Sequence, residues 1–188
     1  GWQILALKSG HMAYLRVPPV TVQKTSRFLD SVQSDEGAKY GYTQPQQARP
    51  TTTAIGLLCR MYLGWNKDNP ALKRGVKWLA KQGPSKTNLY YNYFATEVMW
   101  HWGGDEWEKW NPVNRDWLVE SQATEGHEAG SWFPGKGDDA QQGPRVKLDD
   151  HGTRRGGRLY HTAMATLILE VYYCPTGHDH IEEDFPLD

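Results

Sequence analysis

The sequence predicts an all-α protein built from repeated helical hairpins. One degraded pattern occurs three times, beginning at Lys24, Arg74 and Arg115. Each copy has an aromatic-leucine pair followed by a glutamine, a polar loop and further aromatics; the pairs are Phe28-Leu29, Trp78-Leu79 and Trp117-Leu118. A helix rich in small and apolar residues follows every copy. Because a repeated helix pair buries its apolar face only against its neighbours, this pattern indicates a helical-repeat array.

The first two helices are predicted to form a hairpin. Apolar residues at near-helical spacing predict a helix over residues 2–13, which Val17-Pro18-Pro19 ends. A second helix is expected over residues 21–32. Residues 35–50 are rich in glycine, glutamine and proline, so they predict a loop before the next helix.

Capping signals place the later helices. The hydroxyl groups of residues 51–53 are expected to cap a helix that ends at Leu63. Asn69-Pro70 is typical of a capping residue followed by a first-turn proline, and it predicts a helix to Lys81. Gly103-Gly104 marks the end of the helix after that. The remaining helices are predicted over residues 91–102, 113–122 and 160–173.

Two segments carry no helical pattern. Residues 135–157 lack apolar periodicity, and their composition favours disorder over an ordered site loop. Residues 175–188 form an acidic tail that we expect to be frayed. The sequence therefore predicts one repeat domain over residues 1–174, with an irregular loop at 135–157 and a separate tail. That domain contains about seven helices, four of an inner type and three of an outer type.

Composition limits the classes of function and partner. A chain of 188 residues can bury one sizeable core. Its net charge of −1, with dispersed acids and bases, argues against nucleic acid as a partner. No apolar run reaches the roughly 18 to 20 residues of an integral membrane segment. We expect small-molecule or protein partners and a chain cut from a longer protein, and the localisation is left unknown.

The third repeat carries a family resemblance. Trp117-Leu118, Gln122 and Gly130-Ser131-Trp132 resemble the QW repeat of squalene and oxidosqualene cyclases. The first copy matches the left half of that repeat, whereas Gln82 of the second falls one residue early. Segments such as AIGLLCRMYLGW and GRLYHTAMATLILEVYY are similar to squalene-cyclase-like repeat domains of uncharacterised bacterial proteins.

Nearly the whole chain thus resembles the α/α toroid of terpenoid cyclases and protein prenyltransferases. The resemblance implies an α/α toroid of helical-hairpin repeats, present here as a partial ring of about seven helices. A partial ring exposes apolar helix edges, so we expect self-association or a missing N-terminal half to cover them.

Squalene-hopene cyclases, which this chain resembles, protonate an alkene with an acidic DxDD motif. The closest segment here is Lys147-Leu148-Asp149-Asp150, which lacks the first aspartate. Asp149 and Asp150 are therefore catalytic candidates, but a solvated acidic turn is the favoured interpretation.

Protein prenyltransferases hold zinc with an aspartate, a cysteine two residues later and a distant histidine. His161 lies where that histidine is expected, but neither Cys59 nor Cys174 has an aspartate two residues before it. No metal and no cofactor are therefore predicted, and both cysteines are interpreted as buried small hydrophobes. For His161 a hydrogen-bonded core or pore position is favoured over catalysis. Glu97 and His101, four residues apart on one helix face, could form an acid/base pair, although a structural hydrogen bond is favoured.

The best candidate for function is a set of aromatic residues at the junctions between loops and inner helices. In a toroid these junctions gather at one mouth of the central cavity. Rings with polar tips suit an apolar, terpenoid-like, sugar-like or peptide ligand, and the alternative is that they pack the repeats. The predicted ligand-binding residues are Tyr40, Tyr42, Tyr90, Tyr91, Tyr93, Trp132 and His161.

The sequence leaves three hypotheses of function open. The first is a squalene-cyclase-like module of unknown activity that binds a ligand or a partner within a larger bacterial protein. The second is a terpene cyclase or prenyltransferase whose catalytic acid or zinc ligands lie partly outside this chain. A third possibility makes residues 135–157 a docking segment for a protein partner.

Overall fold

The computed structural model describes residues 1–133 and 153–173. It is dominated by α-helices, so the predicted all-α class is confirmed. The seven helices of these ranges are α1 Trp2–Met12, α2 Pro19–Val32, α3 Pro50–Tyr62, α4 Pro70–Gln82, α5 Leu89–Trp102, α6 Gly104–Ser121 and α7 Thr153–Glu170. Short 3-10 turns occur at Asp35–Gly37, Pro45–Gln47 and Gly126–Glu128.

The helices lie in two rows. In one row α1 packs against α3, α3 against α5, and α5 against α7. In the other, α4 contacts α3 and α5, and α6 contacts α5 and α4. Helices α3 and α5 begin at the same end of the molecule, because Asn88 Nδ2 donates to Thr51 Oγ1 at 3.5 Å. Closure of these rows into a toroid stays a prediction.

Two hydrophobic clusters hold the rows together. The larger one joins helices α1 to α6 around fully buried side chains such as Leu57, Val76 and Phe94. The smaller one joins α5, α6 and α7 through Leu118 and Trp132, among others. Complete burial of an aliphatic or aromatic side chain contributes about 1.5–3 kcal/mol, so these clusters are the main stabilising element.

The segment between α2 and α3 is more ordered than the loop predicted over residues 35–50. Strands β1 Gln33–Ser34 and β2 Lys39–Tyr40 pair antiparallel, with Gln33 opposite Tyr40. Positive φ angles at Asp35, Glu36 and Gly37 turn the chain between them. The Tyr40 ring then packs against α3, where a Cβ on Gly56 would come within 2.2 Å of it.

Helix ends agree in part with the sequence predictions. Asn69 Oδ1 accepts from the backbone N–H groups of Ala71 and Leu72 at 2.9 and 3.1 Å, which confirms the predicted cap of α4. Gly103, with φ of 67°, ends α5 as expected. The predicted capping hydroxyl of α3 is confirmed at Thr52, although the helix begins at Pro50 with Arg49 as its N-cap residue. Thr52 Oγ1, inside the first turn, accepts the Arg49 N–H at 3.1 Å.

Helix α6 begins earlier than predicted and α7 ends earlier. Helix α6 starts at Gly104 instead of residue 113 and continues through Pro112. Its first turn carries Asp105 and Glu106, whose negative charges are favourable at a helix N-terminus. Helix α7 begins at Thr153 instead of residue 160, so the prediction of an irregular loop was wrong for residues 153–157. The helix is kinked at Gly157, where φ is 52°, and it ends at Glu170 instead of residue 173.

A charged network around the buried Arg60 backs the segment between α2 and α3. Arg60 of α3 is 4% exposed, and its Nε donates to the hydroxyl oxygen of Tyr40 at 3.0 Å. Its guanidinium also pairs with Asp30 and donates to Ser26 Oγ at 3.2 Å. Three separate parts of the chain are thereby joined at one cation.

A buried neutral network backs the loop between α4 and α5. Asn92 of α5 is fully buried and donates from Nδ2 to Asn114 Oδ1 of α6 at 3.2 Å. Asn114 Nδ2 and Trp110 Nε1 both donate to Thr96 Oγ1 at 3.0 Å. This network contains amides, a hydroxyl and an indole, and no ionisable group.

Candidate ligand-binding groove

A groove of about 740 Å³ opens where α3 and α5 begin. One wall is the end of the segment between α2 and α3, with Tyr42 and the residues from Arg49 to Thr52. The other wall is the loop between α4 and α5, which runs from Gly83 to Asn88. Tyr90 and Tyr91, in the first turn of α5, complete the lining. The groove therefore lies between two consecutive helices of one row.

The loop between α4 and α5 is fixed by its own polar residues. Ser85 N–H donates to Asn92 Oδ1 and Asn92 Nδ2 donates to the Ser85 carbonyl, both at 2.7 Å. Ser85 Oγ accepts from the N–H groups of Thr87 and Asn88 at 3.2 and 3.1 Å. Asn88 Oδ1 accepts the Tyr91 N–H at 2.8 Å and caps α5. This wall is consequently preformed by hydrogen bonds that do not involve a ligand.

The opposite wall is held by backbone geometry and by a glutamine. Gln47 Oε1 accepts from the N–H and the hydroxyl of Thr43 at 3.1 and 3.0 Å. A Cβ on Gly41 would lie 1.8 Å from the Gln44 carbonyl oxygen, so only glycine fits there. Tyr42 follows directly and is 71% exposed. The tight turn thus presents an aromatic ring to solvent at the edge of the groove.

The two tyrosines of α5 have different surroundings. Tyr91 is buried, and its hydroxyl donates to the Gly83 carbonyl at 3.1 Å. Burial raises the pKa of the Tyr91 phenol, so this hydroxyl stays neutral at physiological pH. Tyr90 is half-buried, with its ring 5.1 Å from that of Phe94. Tyr91 therefore supports the floor, whereas Tyr90 offers part of its ring to the groove.

The lining of the groove is rich in side chains that form hydrogen bonds. It consists of tyrosines, prolines, hydroxyl and amide side chains, and the single cation Arg49. Among the described residues that form it there is no carboxylate, imidazole or thiol. The lining therefore offers hydrogen-bonding groups, ring surfaces and the positive charge of Arg49.

Three of the seven predicted ligand-binding residues line this groove, namely Tyr42, Tyr90 and Tyr91. The other four are packed elsewhere. Tyr40 is 1% exposed and bonded to Arg60, and burial raises the pKa of its phenol. The Tyr93 ring stacks on Trp2 with centroids 5.4 Å apart.

Trp132 and His161 lie together at α7. Trp132 Nε1 donates to the Leu118 carbonyl at 2.7 Å, and Trp132 N–H donates to Thr162 Oγ1 at 3.1 Å. His161 is fully buried, with Nδ1 3.1 Å from the Gly157 carbonyl oxygen. Both side chains contribute to the packing of α7 on its neighbours.

Several other predictions lie outside the described residues. They concern Asp149, Asp150 and Cys174, most of the loop at 135–157, and the tail at 175–188. Cys59 is buried in the larger cluster, as expected, and burial raises the pKa of its thiol.

The structure brings Glu97 and His101 together at a distance from the groove. His101 Nε2 lies 3.6 Å from Glu97 Oε2, and the His101 ring meets the edge of Tyr62. Burial, and secondarily the charge of Glu170, raises the pKa of Glu97 from 4.5 to about 7. A carboxyl group with this pKa exchanges a proton near neutrality, but neither Glu97 nor His101 belongs to the lining of the groove.

The groove residues that the sequence analysis did not predict are polar. Arg49, Ser85, Thr87 and Asn88 lie on the loops that precede α3 and α5. Pro50 and Asn88 mark helix N-termini, and that signal could have located the groove before the structure was known.

The described part of the chain contains no group of three or more histidine, cysteine or acidic residues placed to hold a metal ion. Nor does it contain a helix with the length and apolar character of a membrane span. Comparison with known proteins yields no matching protein-family model, no matching curated protein and no matching solved structure.

Proposed function

We propose that this chain is a ligand-binding module, a squalene-cyclase-like α/α-toroid segment that acts within a larger bacterial protein. The observation that carries the proposal is the preformed groove between the starts of α3 and α5. Its volume of about 740 Å³ is within the usual range for small-molecule sites, about 300–1,000 Å³. The ligand is a small polar molecule or a short polar chain, held by hydrogen bonds and aromatic contact.

Preorganisation supports this proposal. The hydrogen bonds of Ser85, Asn88 and Asn92 fix one wall, and the turn at Gly41 fixes the other. A site that is already ordered loses little conformational entropy when it binds, so more of the contact energy appears as affinity. Hydroxyl and amide side chains along the walls supply both donors and acceptors.

A second candidate function is an enzyme, a terpene cyclase or a prenyltransferase, with its catalytic acid or zinc ligands partly outside this chain. One observation favours it. Glu97 has a pKa of about 7 and lies 3.6 Å from His101, so it could supply or accept a proton. The groove and this pair are separate sets of residues, and a ligand can therefore be assigned to one or the other.

Isotope-labelled protein titrated with neutral oligosaccharides and short peptides tests the proposal by amide NMR spectra. We expect the signals of Thr51, Thr87 and Asn88 to shift in a saturable way. Tyr42→Ala should weaken binding about threefold to tenfold because an exposed ring is lost, without unfolding the protein. The matched control is Tyr14→Ala, because Tyr14 is 97% exposed and lies outside the groove.

Saturable shifts confined to Glu97 and His101 would instead favour the enzyme. If no ligand shifts the groove signals, or if both tyrosine variants bind equally, the proposal is wrong.

A further inference from the structure

A second groove adjoins the first at the loop between α4 and α5. It has a volume of about 430 Å³ and lies between α4 and α6. Gly83 and Pro84 belong to the lining of both grooves. The floor of the second groove includes the buried ring of Trp110, and its walls carry three lysines, Lys77, Lys81 and Lys109. An elongated ligand could therefore cross the Gly83-Pro84 ridge and occupy both grooves.

The combined lining carries an excess of positive charge. Arg49 lines the first groove, and the three lysines line the second. Among the described residues of the two linings, the one carboxylate is that of Glu106, whose Oε2 accepts from Trp102 Nε1 at 3.1 Å. The whole chain has a net charge of −1, so this surface differs in sign from the average of the molecule. Local excess of one sign favours a ligand of the opposite sign.

The four cations are available to a ligand. Arg49 and the three lysines are all exposed. Within residues 1–133 and 153–173, the ion pairs are formed by other arginines, lysines and histidines. An anionic ligand would therefore not have to displace an intramolecular carboxylate of this part of the chain.

The starts of α3 and α5 add positive potential to the first groove. These helices contain 13 and 14 residues and both begin at its edge. The N-terminus of a helix carries a partial positive charge, which acts over about the first turn. This contribution has the same sign as that of Arg49 and supports, but does not by itself establish, an anion preference.

The polar groups of the first groove suit a saccharide. Two of the common peptide-binding modes need other features, namely a free sheet edge or an apolar groove for an amphipathic helix. The first groove offers hydroxyl and amide side chains and the exposed ring of Tyr42. Sugar hydroxyls pair with such side chains, and an exposed ring suits the apolar face of a sugar.

We propose that the two grooves together bind an acidic oligosaccharide, whose carboxylate or sulfate groups contact Arg49 and the three lysines. The inference rests on the proposed function, because it names the ligand class of the same groove and extends it across the Gly83-Pro84 ridge.

Calorimetric titration and amide NMR on the whole chain test this inference. The probes are a hexagalacturonate, its fully methyl-esterified form, a sulfated galactan hexamer, its desulfated form and hexaglutamate. The variants are Arg49→Gln for the first groove and Lys81→Gln for the second. Arg27→Gln is the matched control, because Arg27 is exposed on α2 and lines neither groove.

We expect at least one acidic saccharide to bind more than about tenfold tighter than its neutral form, and the affinity to fall with added salt. The carboxylated and sulfated probes show which acidic group is preferred. Arg49→Gln and Lys81→Gln should each weaken binding about twofold to fivefold, in line with exposed charge pairs. Arg27→Gln should leave the affinity unchanged.

Three results would overturn the inference: equal affinity for acidic and neutral saccharides, equal behaviour of all three variants, or hexaglutamate as the tightest ligand. If neutral saccharides still shift Thr51 and Asn88, the proposed function stands and only the acidic preference fails. If no probe shifts those signals, the groove is not a binding site and both proposals fail.

Discussion

The two walls of the first groove are supported by hydrogen-bond networks of different chemistry, one charged and one neutral. Behind the wall formed by the segment between α2 and α3, the cation Arg60 contacts Tyr40 and Asp30. Behind the loop between α4 and α5, Asn92 contacts Ser85 and Asn114 without any charge. Asp30 is 56% exposed, so the charged network reaches solvent, whereas Asn92 is fully buried.

Because of this difference, we expect the two walls to respond differently to substitution and to salt concentration. Removing a fully buried amide such as that of Asn92 leaves its partners unsatisfied, which costs about 1–3 kcal/mol for each partner that water does not reach. Water can replace an exposed carboxylate in part, and dissolved salt screens its attraction. Substitutions in the neutral network, behind the loop between α4 and α5, should lower stability strongly and independently of salt. Substitutions in the charged network, behind the segment between α2 and α3, should lower stability less, and by an amount that depends on salt.

The largest expected effect is at Asn92. Asn92→Ala removes the partners of the Ser85 N–H, the Ser85 carbonyl and Asn114 Oδ1. We expect the free energy of unfolding to fall by about 2–4 kcal/mol, measured by urea denaturation. Asn66→Ala is the control, because Asn66 is exposed and Oδ1 accepts only from the Asp68 N–H in the described part. If Asn92→Ala and Asn66→Ala lost equal amounts of unfolding free energy, the importance given to the buried neutral amide would be wrong.

The pH dependence of stability distinguishes the neutral network of Asn92 from Glu97, an acid on the same helix α5 whose pKa is raised. Burial holds the pKa of Glu97 at about 7 in the folded protein, above its usual 4.5. Between these values the folded state binds more protons than the unfolded state, so stability should fall as pH rises from about 4.5 to about 7. The expected loss is about 2–3 kcal/mol, and no further loss from this group is expected above the window.

Glu97→Gln should flatten this part of the pH profile, whereas Asn92→Ala should lower the whole curve by a constant amount. Denaturation curves across the pH range measure both. A profile that keeps its slope in Glu97→Gln would show that another group is responsible.

The smallest of the three effects is at Asp30. Asp30→Asn removes the anion that faces Arg60 but leaves the hydrogen bonds of Arg60 to Tyr40 and Ser26. We expect a loss of about 1 kcal/mol at low salt, which shrinks near 1 M salt as the charges are screened. The control is Asp116→Asn, since Asp116 and Arg115 are both about half exposed, at 55% and 46%. If the loss of stability in Asp30→Asn did not depend on salt, the predicted difference between the charged and the neutral network would be wrong.

Much of the fold follows from local signals in the sequence. Apolar spacing located the helices, and Asn69 and Gly103 marked their ends, because capping depends on neighbouring residues. The start of α6 was missed because a proline usually disfavours a helix interior, yet α6 accommodates Pro112.

The groove could be predicted only in part. Tyr42 and Tyr90 were recognised by residue type and position, but Tyr40 has the same type and is buried. Its burial is decided by Arg60, 20 residues away in the chain, and by the space over Gly56. Likewise Arg49 and Ser85 come together only through the packing of α3 on α5, which no local pattern encodes.

The reciprocal bonds between Ser85 and Asn92 have a consequence for the timing of molecular recognition. Ser85, in the loop between α4 and α5, is bonded directly to the buried Asn92 of α5. The Ser85 amide hydrogen should therefore exchange with solvent about as slowly as the amides inside that helix. This loop can then open only by a motion that also breaks the hydrogen bonds of the buried Asn92. A ligand would meet a surface that is already in its binding shape, and its association rate should be limited by diffusion and orientation.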